Sequence, residues 1–125
     1  MDDVFKFIIK NKGLTTESNY PCQVADGACN TKKVALYAAA ITGYEDVPAN
    51  SEASSLKVVA NQPVFIAIDH GGLDFQLYFG GVFTGDYGTD LDHVVTAVDY
   101  GMANDGTRYW LVKNSWASSW VRRGT

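Results

Sequence analysis

The chain has 125 residues, of which 46% are hydrophobic and 13% aromatic, so it can bury the core of one ordinary domain and is not a disordered tail. Ten basic and fourteen acidic residues give a net charge of −4, and the basic residues are scattered, which argues against a nucleic-acid partner. The longest apolar run, Val34 to Ile41, is under half of the roughly 20 residues that a bilayer-spanning helix needs, so no membrane segment is expected.

The first residues predict a helix and no export signal. Met1-Asp2-Asp3 carries acidic residues where a secretory signal has a basic region followed by an apolar one. Apolar residues then recur at helical spacing between Val4 and Ile9. We therefore predict a helix over Asp2 to Asn11, which Asn11-Lys12-Gly13 ends.

Two cysteines lie in the turn-rich stretch from Leu14 to Lys33, which is predicted to be an extended, ordered loop. Cys22 and Cys29 are seven positions apart, and that spacing fits neither a CxxC redox pair nor a zinc site with four ligands. A local disulfide between them and two unpaired thiols are the two interpretations that the sequence leaves open.

The middle of the chain predicts a strand and then a short helix. Val34 to Tyr44 is apolar with aromatic and β-branched members, which is typical of a strand. Asn50 or Ser51 can cap the helix that follows, and Asn61-Gln62-Pro63 ends it.

After Pro63 the pattern changes to short strands separated by glycine turns. The four predicted strands are Val64 to Ile68, Val82-Phe83, His93 to Tyr100 and Tyr109 to Lys113. Four short strands in about 50 residues predict an antiparallel sheet or barrel, and with the short helices they place the chain in the α+β class.

His93 begins one of these strands beside Asp92, and a lone histidine there is more often structural than functional. Lys113-Asn114-Ser115-Trp116, which ends the last predicted strand, changes that interpretation. Asn114 can orient the His93 imidazole by accepting its Nδ1 proton, and the Trp116 indole can shield that bond from water. This pairing is the His and Asn part of a Cys-His-Asn protease site.

Several longer segments resemble plant papain-like cysteine proteases in their order and approximate spacing. They are Asn61-Gln62-Pro63-Val64, Asp74-Phe75-Gln76-Leu77-Tyr78, Gly80-Gly81-Val82-Phe83-Thr84-Gly85, Asp90-Leu91-Asp92-His93, Tyr109-Trp110-Leu111-Val112-Lys113-Asn114-Ser115-Trp116 and Ser119-Trp120. The resemblance covers nearly the whole chain.

The resemblance implies parts of two domains. Residues 1–45 are similar to the end of the family's helical domain, and residues 46–125 are similar to its antiparallel β-barrel domain without the last strands. A barrel that lacks its closing strands has an unpaired edge, which favours self-association.

The resemblance also implies roles for individual residues. His93 corresponds to the catalytic histidine, which pairs with the nucleophilic thiolate and later protonates the leaving amine. Asn114 corresponds to the orienting asparagine and Trp116 to the indole that covers it. Asp92 corresponds to a residue that tunes the electrostatics beside the histidine.

Ala67 and Leu91 correspond to walls of the pocket for the second substrate side chain before the cleaved bond. The implied partners are a peptide or protein substrate or an inhibitor, and no cofactor or metal is implied. Complete relatives of this kind are secreted, vacuolar or lysosome-like, and the resemblance alone implies such a localisation here.

The nucleophile of the family is missing from the chain. It lies in a Cys-Gly-[Ser/Ala]-Cys-[Trp/Tyr] motif roughly 130 to 150 residues before the histidine and asparagine, and no such motif occurs here. Neither Cys22 nor Cys29 stands at its place. We therefore expect a C-terminal-half fragment of a papain-like endopeptidase that is inactive alone. The alternative is a non-catalytic binding module that docks peptides, an inhibitor or an intact protease.

The second histidine has no predicted role. His70 follows Asp69 and precedes Gly71-Gly72, so it is predicted to be an exposed turn residue. A metal site would need further ligands beside it.

Overall fold

The structure, a computed structural model, describes residues 1–116. The chain divides into two compact units, Met1–Asp46 and Val47–Thr125. The Ser119-Trp120 segment of the family pattern lies outside the described residues.

In the first unit, helix α1 spans Asp2–Lys10, which confirms the predicted helix. Its first turn carries Asp2 and Asp3 and its last turn Lys10, so both ends complement the helix dipole. Ile8 is its buried residue. The chain then turns through Gly13 at φ 142°, where an added Cβ would lie 2.5 Å from the Ala39 carbonyl oxygen. The glycine predicted to end the helix is thus required by both conformation and space.

The strand predicted over Val34 to Tyr44 is wrong. Val34 is the last residue of a short helix, α2 (Thr31–Val34), which begins where the Asn30 side chain accepts a hydrogen bond from the Lys33 backbone N–H. Beyond it the backbone pairs with Leu14 in a single isolated bridge at Ala39. A strand is stable only beside a partner strand, and one bridge does not supply that partner.

The segment that holds the two cysteines is ordered by polar contacts. The Tyr20 hydroxyl accepts a hydrogen bond from the Asn30 N–H at 2.9 Å, and Lys33 Nζ lies 5.6 Å from the centre of the Tyr20 ring. Cys22 and Cys29 are both free and exposed. The two thiols are not bonded to each other in the structure, and a disulfide between them under oxidising conditions stays a prediction.

The second unit begins with helix α3, Glu52–Val59. Ser51 is its N-cap, because its side chain accepts a hydrogen bond from the Ser54 N–H. Asn50, the other predicted cap, lies one residue earlier at a positive φ of 57°. A serine N-cap satisfies one of the N–H groups that the first helical turn leaves without a partner.

Three strands form one antiparallel sheet in the order β1-β2-β3, and all three were predicted. They span Val64–Ile68, His93–Met102 and Arg108–Lys113. Ile68 pairs with His93 in one ladder, and Thr96 pairs with Lys113 in the other. The end of β1, the start of β2 and the end of β3 therefore lie at the same end of the sheet.

The core of this unit lies on one face of the sheet. Val95 and Ala97 of β2 are buried, as is Val59 of α3, and α3 contacts β2. Side chains alternate between the two faces of a strand, so His93 shares the face of Val95 whereas Val94 lies on the other face. The register shifts between Ala97 and Asp99, which marks a bulge beyond the core residues.

Closure of the sheet into a barrel is wrong for the described residues, in which β1 and β3 each pair with one strand, β2. Val82-Phe83 is not a strand, and a short helix, α4 (Leu73–Gln76), lies before it. Two carboxylates instead bind backbone N–H groups of this segment: Asp69 accepts from Asp90, and Asp74 accepts from Asp86. Donors used in this way are not available to a strand ladder.

Within residues 1–116, none of the helices has the length and apolar character that crossing a membrane requires. Self-association through an open sheet edge stays a prediction.

Two adjacent valines test the placement of the core. Val95 is 3% exposed and Val94, on the other face, is 46% exposed. We expect Val95→Ala to lower the free energy of unfolding by about 1–2 kcal/mol, because it removes two buried carbons and leaves a cavity. Urea denaturation measures this change.

Val94→Ala is the matched control, since it makes the same change in the same strand. It should cost less than Val95→Ala. An equal or larger loss in Val94→Ala would contradict the assignment of the core face.

Candidate functional site

The site lies at the end of the sheet where β1 ends, β2 begins and β3 ends. Ile68 of β1 pairs with His93, the first residue of β2. Lys113 is the last residue of β3, and Asn114 to Trp116 follow it at the same end. The sheet thus brings together residues that are far apart in sequence.

The His93 and Asn114 side chains form a direct hydrogen bond. The distance from His93 Nε2 to Asn114 Oδ1 is 2.8 Å, and the pair is partly buried. An amide oxygen can only accept, so His93 Nε2 carries the proton and donates it. The predicted pairing is therefore present, but the predicted nitrogen, Nδ1, is wrong.

The ring geometry explains this correction. Nε2 is the nitrogen farther from the backbone, so it can reach a side chain that follows the neighbouring strand, whereas Nδ1 stays close to the backbone of β2. Because Asn114 occupies Nε2, Nδ1 is the nitrogen left for proton exchange with a substrate or a nucleophile.

Local contacts determine which end of the Asn114 amide faces the histidine. Asn114 Oδ1 also accepts a hydrogen bond from the Ser115 backbone N–H at 2.7 Å. Asn114 Nδ2 is buried and has no hydrogen-bond partner among residues 1–116. The oxygen is thus the atom that holds the side chain in place.

Trp116 lies over the His93 ring. The two ring centres are 5.2 Å apart and the planes differ by 33°. On another side the indole meets the Phe75 ring edge-on, with centres 5.7 Å apart. An apolar ring over the imidazole lowers the local dielectric, which strengthens the hydrogen bond between His93 and Asn114.

His70 lies beside Asp92, His93 and Trp116 and is partly buried, so its prediction as an exposed turn residue is wrong. The distance from His70 Nδ1 to Asp92 Oδ1 is 2.6 Å, and the same oxygen accepts from the His70 backbone N–H at 3.0 Å. The His70 ring centre lies 5.3 Å from that of His93 and 5.4 Å from that of Trp116.

These bonds change the acidity of Asp92. The hydrogen bond from the His70 side chain, followed by the one from its backbone, lowers the pKa of the Asp92 carboxyl below its ordinary value of 3.8. The strand register is the signal that identifies His70, because residues just after Ile68 must lie near residues just before His93. That register depends on tertiary structure and could not be taken from local pattern alone.

The other residues predicted for the site are not part of the hydrogen-bonded pair of His93 and Asn114. Ala67 pairs with Val94 and so lies on the sheet face opposite to that of His93. Leu91 is exposed, two residues before His93. Both cysteines lie in the first unit. Within the described residues, no group of three or more His, Cys, Asp or Glu side chains is arranged to hold a metal ion.

Comparisons with known proteins give one family. The family model described as Papain family cysteine protease matches residues 1–125. The Senescence-specific cysteine protease SAG39 of Oryza sativa subsp. indica is 61% identical over 124 residues, which are 99% of this chain and 36% of that protein. Vignain of Phaseolus vulgaris is 54% identical over 124 residues, which are 99% of this chain and 34% of vignain.

A solved structure of the bromelain protease from Ananas comosus, in complex with an inhibitor, has the same fold. It superposes with a TM-score of 0.86 and 46% sequence identity, over 96% of this chain and 55% of that one. The curated relatives are longer than this chain, which spans about a third of their length.

The orientation of Asn114 can be tested by NMR. The His93 Nε2–H should give a downfield resonance that exchanges slowly with water, because it is hydrogen-bonded and partly buried. We expect Asn114→Ala to speed its exchange about tenfold or more, the equivalent of one ordinary hydrogen bond.

Ser115→Ala is the control for this measurement, since it changes the next side chain and keeps the Asn114 amide. Its exchange rate should match that of the unchanged chain. A resonance that is equally protected in Asn114→Ala would show that Asn114 Oδ1 does not hold the ring.

The lowered pKa of Asp92 predicts an acid dependence of stability. A carboxyl whose pKa is lower in the folded than in the unfolded state stabilises the fold above its ordinary pKa, and this contribution is lost as the pH falls through the lowered value. The free energy of unfolding, compared between the unchanged chain and Asp92→Asn from about pH 5 to about pH 2.5, measures this contribution.

We expect the advantage of the unchanged chain over Asp92→Asn to shrink as the pH falls through this window. Asparagine keeps an acceptor for both His70 donors and removes the titration. A stability difference that stays constant with pH would contradict the prediction.

Proposed function

The chain is a plant-type member of the papain family of cysteine proteases, and from that premise we propose that it supplies the histidine and the asparagine of a Cys-His-Asn endopeptidase site. The observation that carries the proposal is the 2.8 Å hydrogen bond between His93 Nε2 and Asn114 Oδ1. This bond fixes the ring and leaves Nδ1 for proton transfer.

In this proposal His93 moves one proton in each half of the reaction. Nδ1 takes the proton of a cysteine thiol, and the thiolate attacks the peptide carbonyl. The imidazolium then gives that proton to the leaving amine, and an acyl-enzyme is left. Water is deprotonated by the same nitrogen and attacks the acyl-enzyme, which releases the acid and restores the thiol.

The other residues support this transfer. Trp116 shields the bond between His93 and Asn114 from water, and Asp92 adjusts the charge beside the ring. Ala67 and Leu91 form walls of a pocket for a substrate side chain, in a peptide or protein that the assembled enzyme binds. Residues 1–45 belong to the helical domain of the family and residues 46–125 to its β domain, and the compact-unit boundary after Asp46 supports this division.

The motif that carries the family's nucleophilic cysteine does not occur in the 125 residues. We therefore propose that the chain by itself does not hydrolyse peptides. It acts together with a segment that carries the nucleophile. The localisation that we propose is that of the complete relatives, vacuolar or secretory.

Two assays test this proposal. The chain alone should give no turnover of a fluorogenic dipeptide substrate and no labelling by a thiol-directed epoxide. When the chain is refolded with the part of the rice relative that lies outside the matched 124 residues, hydrolysis should appear. Co-elution of the two polypeptides measures their assembly.

His93→Ala should lower the rate of the assembled complex by about 10²–10⁴-fold, the range for losing a general acid–base, whereas Ser115→Ala should leave it near that of the unchanged chain. Turnover with labelling of Cys22 or Cys29 in the chain alone would contradict the proposal. An assembled complex that is inactive, or that is indifferent to His93→Ala, would contradict it as well.

The absence of the nucleophile motif also supports a second proposal, in which the chain is a binding module derived from a protease. It would dock peptides, an inhibitor or an intact protease without catalysis. Titration of the chain into an intact family protease or a cystatin-like inhibitor should then give saturable binding, and a flat response would exclude this function.

A further inference from the structure

His70 contacts three residues of the site at once. Its Nδ1 and its backbone N–H both bind Asp92 Oδ1, at 2.6 Å and 3.0 Å. Its ring is tilted by 51° to the His93 ring at 5.3 Å and meets the Trp116 ring edge-on at 5.4 Å. No feature of the sequence and no step of the proposed reaction accounts for a second imidazole at this place.

We propose that His70 is a positioning residue of this site, which holds the Asp92 carboxylate by two hydrogen bonds and packs against the His93 ring beside Trp116. The proposal rests on the proposed function in one respect, the assignment of His93 as the residue that transfers the proton. His70 itself exchanges no proton with the substrate.

His70 restricts the side chain of Asp92. This carboxylate precedes His93 in the chain, so a free side chain could rotate toward the imidazole and compete for it. Two donors from His70 bind one carboxylate oxygen and so restrict this rotation. The Asp92 backbone N–H is also held, by the Ile68 carbonyl oxygen at 3.2 Å.

His70 also helps to fix the plane of the His93 ring. Asn114 holds the ring at Nε2, and Trp116 lies over it at 33°. A ring held by one hydrogen bond and one stacked neighbour can still rock about that bond. The His70 ring supplies a third contact, so the direction of Nδ1 is set by three neighbours.

The pair formed by His70 and Asp92 adds little to the stability of the fold. The His70 and Asp92 side chains are 35% and 40% exposed, and ion pairs with this exposure contribute little to folding. The neighbouring carboxylate, Asp69, is already occupied by the backbone N–H groups of Gly71 and Asp90. The contacts of His70 therefore act on local geometry more than on the stability of the fold.

Three substitutions in the full chain separate the two contacts of His70. His70→Asn keeps a donor near the place of Nδ1 and loses the ring. His70→Phe keeps a ring and loses the donor, and His70→Ala loses both. The two readouts are the titration midpoint of the Asp92 carboxyl, measured by carbon-13 NMR, and the water exchange rate of the His93 Nε2–H.

We expect the Asp92 midpoint to move upward toward 3.8 in His70→Ala and His70→Phe and to move less in His70→Asn. The His93 N–H should exchange several times faster in His70→Ala and His70→Asn and near the unchanged rate in His70→Phe. If His70 only stabilised the fold, each of the variants His70→Asn and His70→Phe would affect the Asp92 midpoint and the His93 exchange rate together.

Asp105 is an internal reference, because the Thr107 backbone N–H lowers its carboxyl pKa in the turn between β2 and β3. The Asp105 midpoint should stay in place in every folded variant. If His70→Ala does not fold, His70→Asn and His70→Phe still test the two contacts separately. Unchanged Asp92 midpoints would overturn the proposal, and so would an unchanged His93 exchange rate. An unprotected His93 N–H in the unchanged chain would instead count against the proposed function.

Discussion

Antiparallel pairing of three strands brings the residues of the site together. Ile68 pairs with His93, and Thr96 with Lys113, so continuing the second ladder would set Trp116 opposite His93 and Asn114 opposite Val95. Asn114 and Trp116 are two residues apart, and side chains with that spacing share a face. A slip of one residue would turn both away from His93, because it exchanges the two faces of a strand.

Aspartate carboxylates hold the long connection between β1 and β2. Asp69, Asp74 and Asp92 each accept hydrogen bonds from backbone N–H groups of this region. They give the segment a fixed path although it contains no strand, and they explain why the glycine-rich sequence there does not extend the sheet. The position of Leu91 and Asp92 beside His93 thus depends on hydrogen bonds between these side chains and the backbone.

Local pattern predicted the elements whose signal is strong within a few residues. The three strands and the serine-capped helix α3 are of this kind. His93 and Asn114, which are 21 residues apart, were paired because both lie at strand ends and match the His and Asn of a Cys-His-Asn site. The four-residue helices α2 and α4 were not predicted, because such short helices depend on capping hydrogen bonds and neighbouring residues more than on sequence periodicity. The predicted strand at Val34 does not form because it lacks a partner strand. His70 was missed because no sequence motif links it to Asp92, 22 residues away.

The two histidines of the site differ in the chemistry of their partners. His70 donates from Nδ1 to the Asp92 carboxylate, whereas His93 donates from Nε2 to a neutral amide oxygen. The amide oxygen accepts one N–H of the His93 ring, so it orients the ring through Nε2 and does not occupy Nδ1. The geometry therefore distinguishes a residue suited to transfer protons from one suited to hold its neighbours.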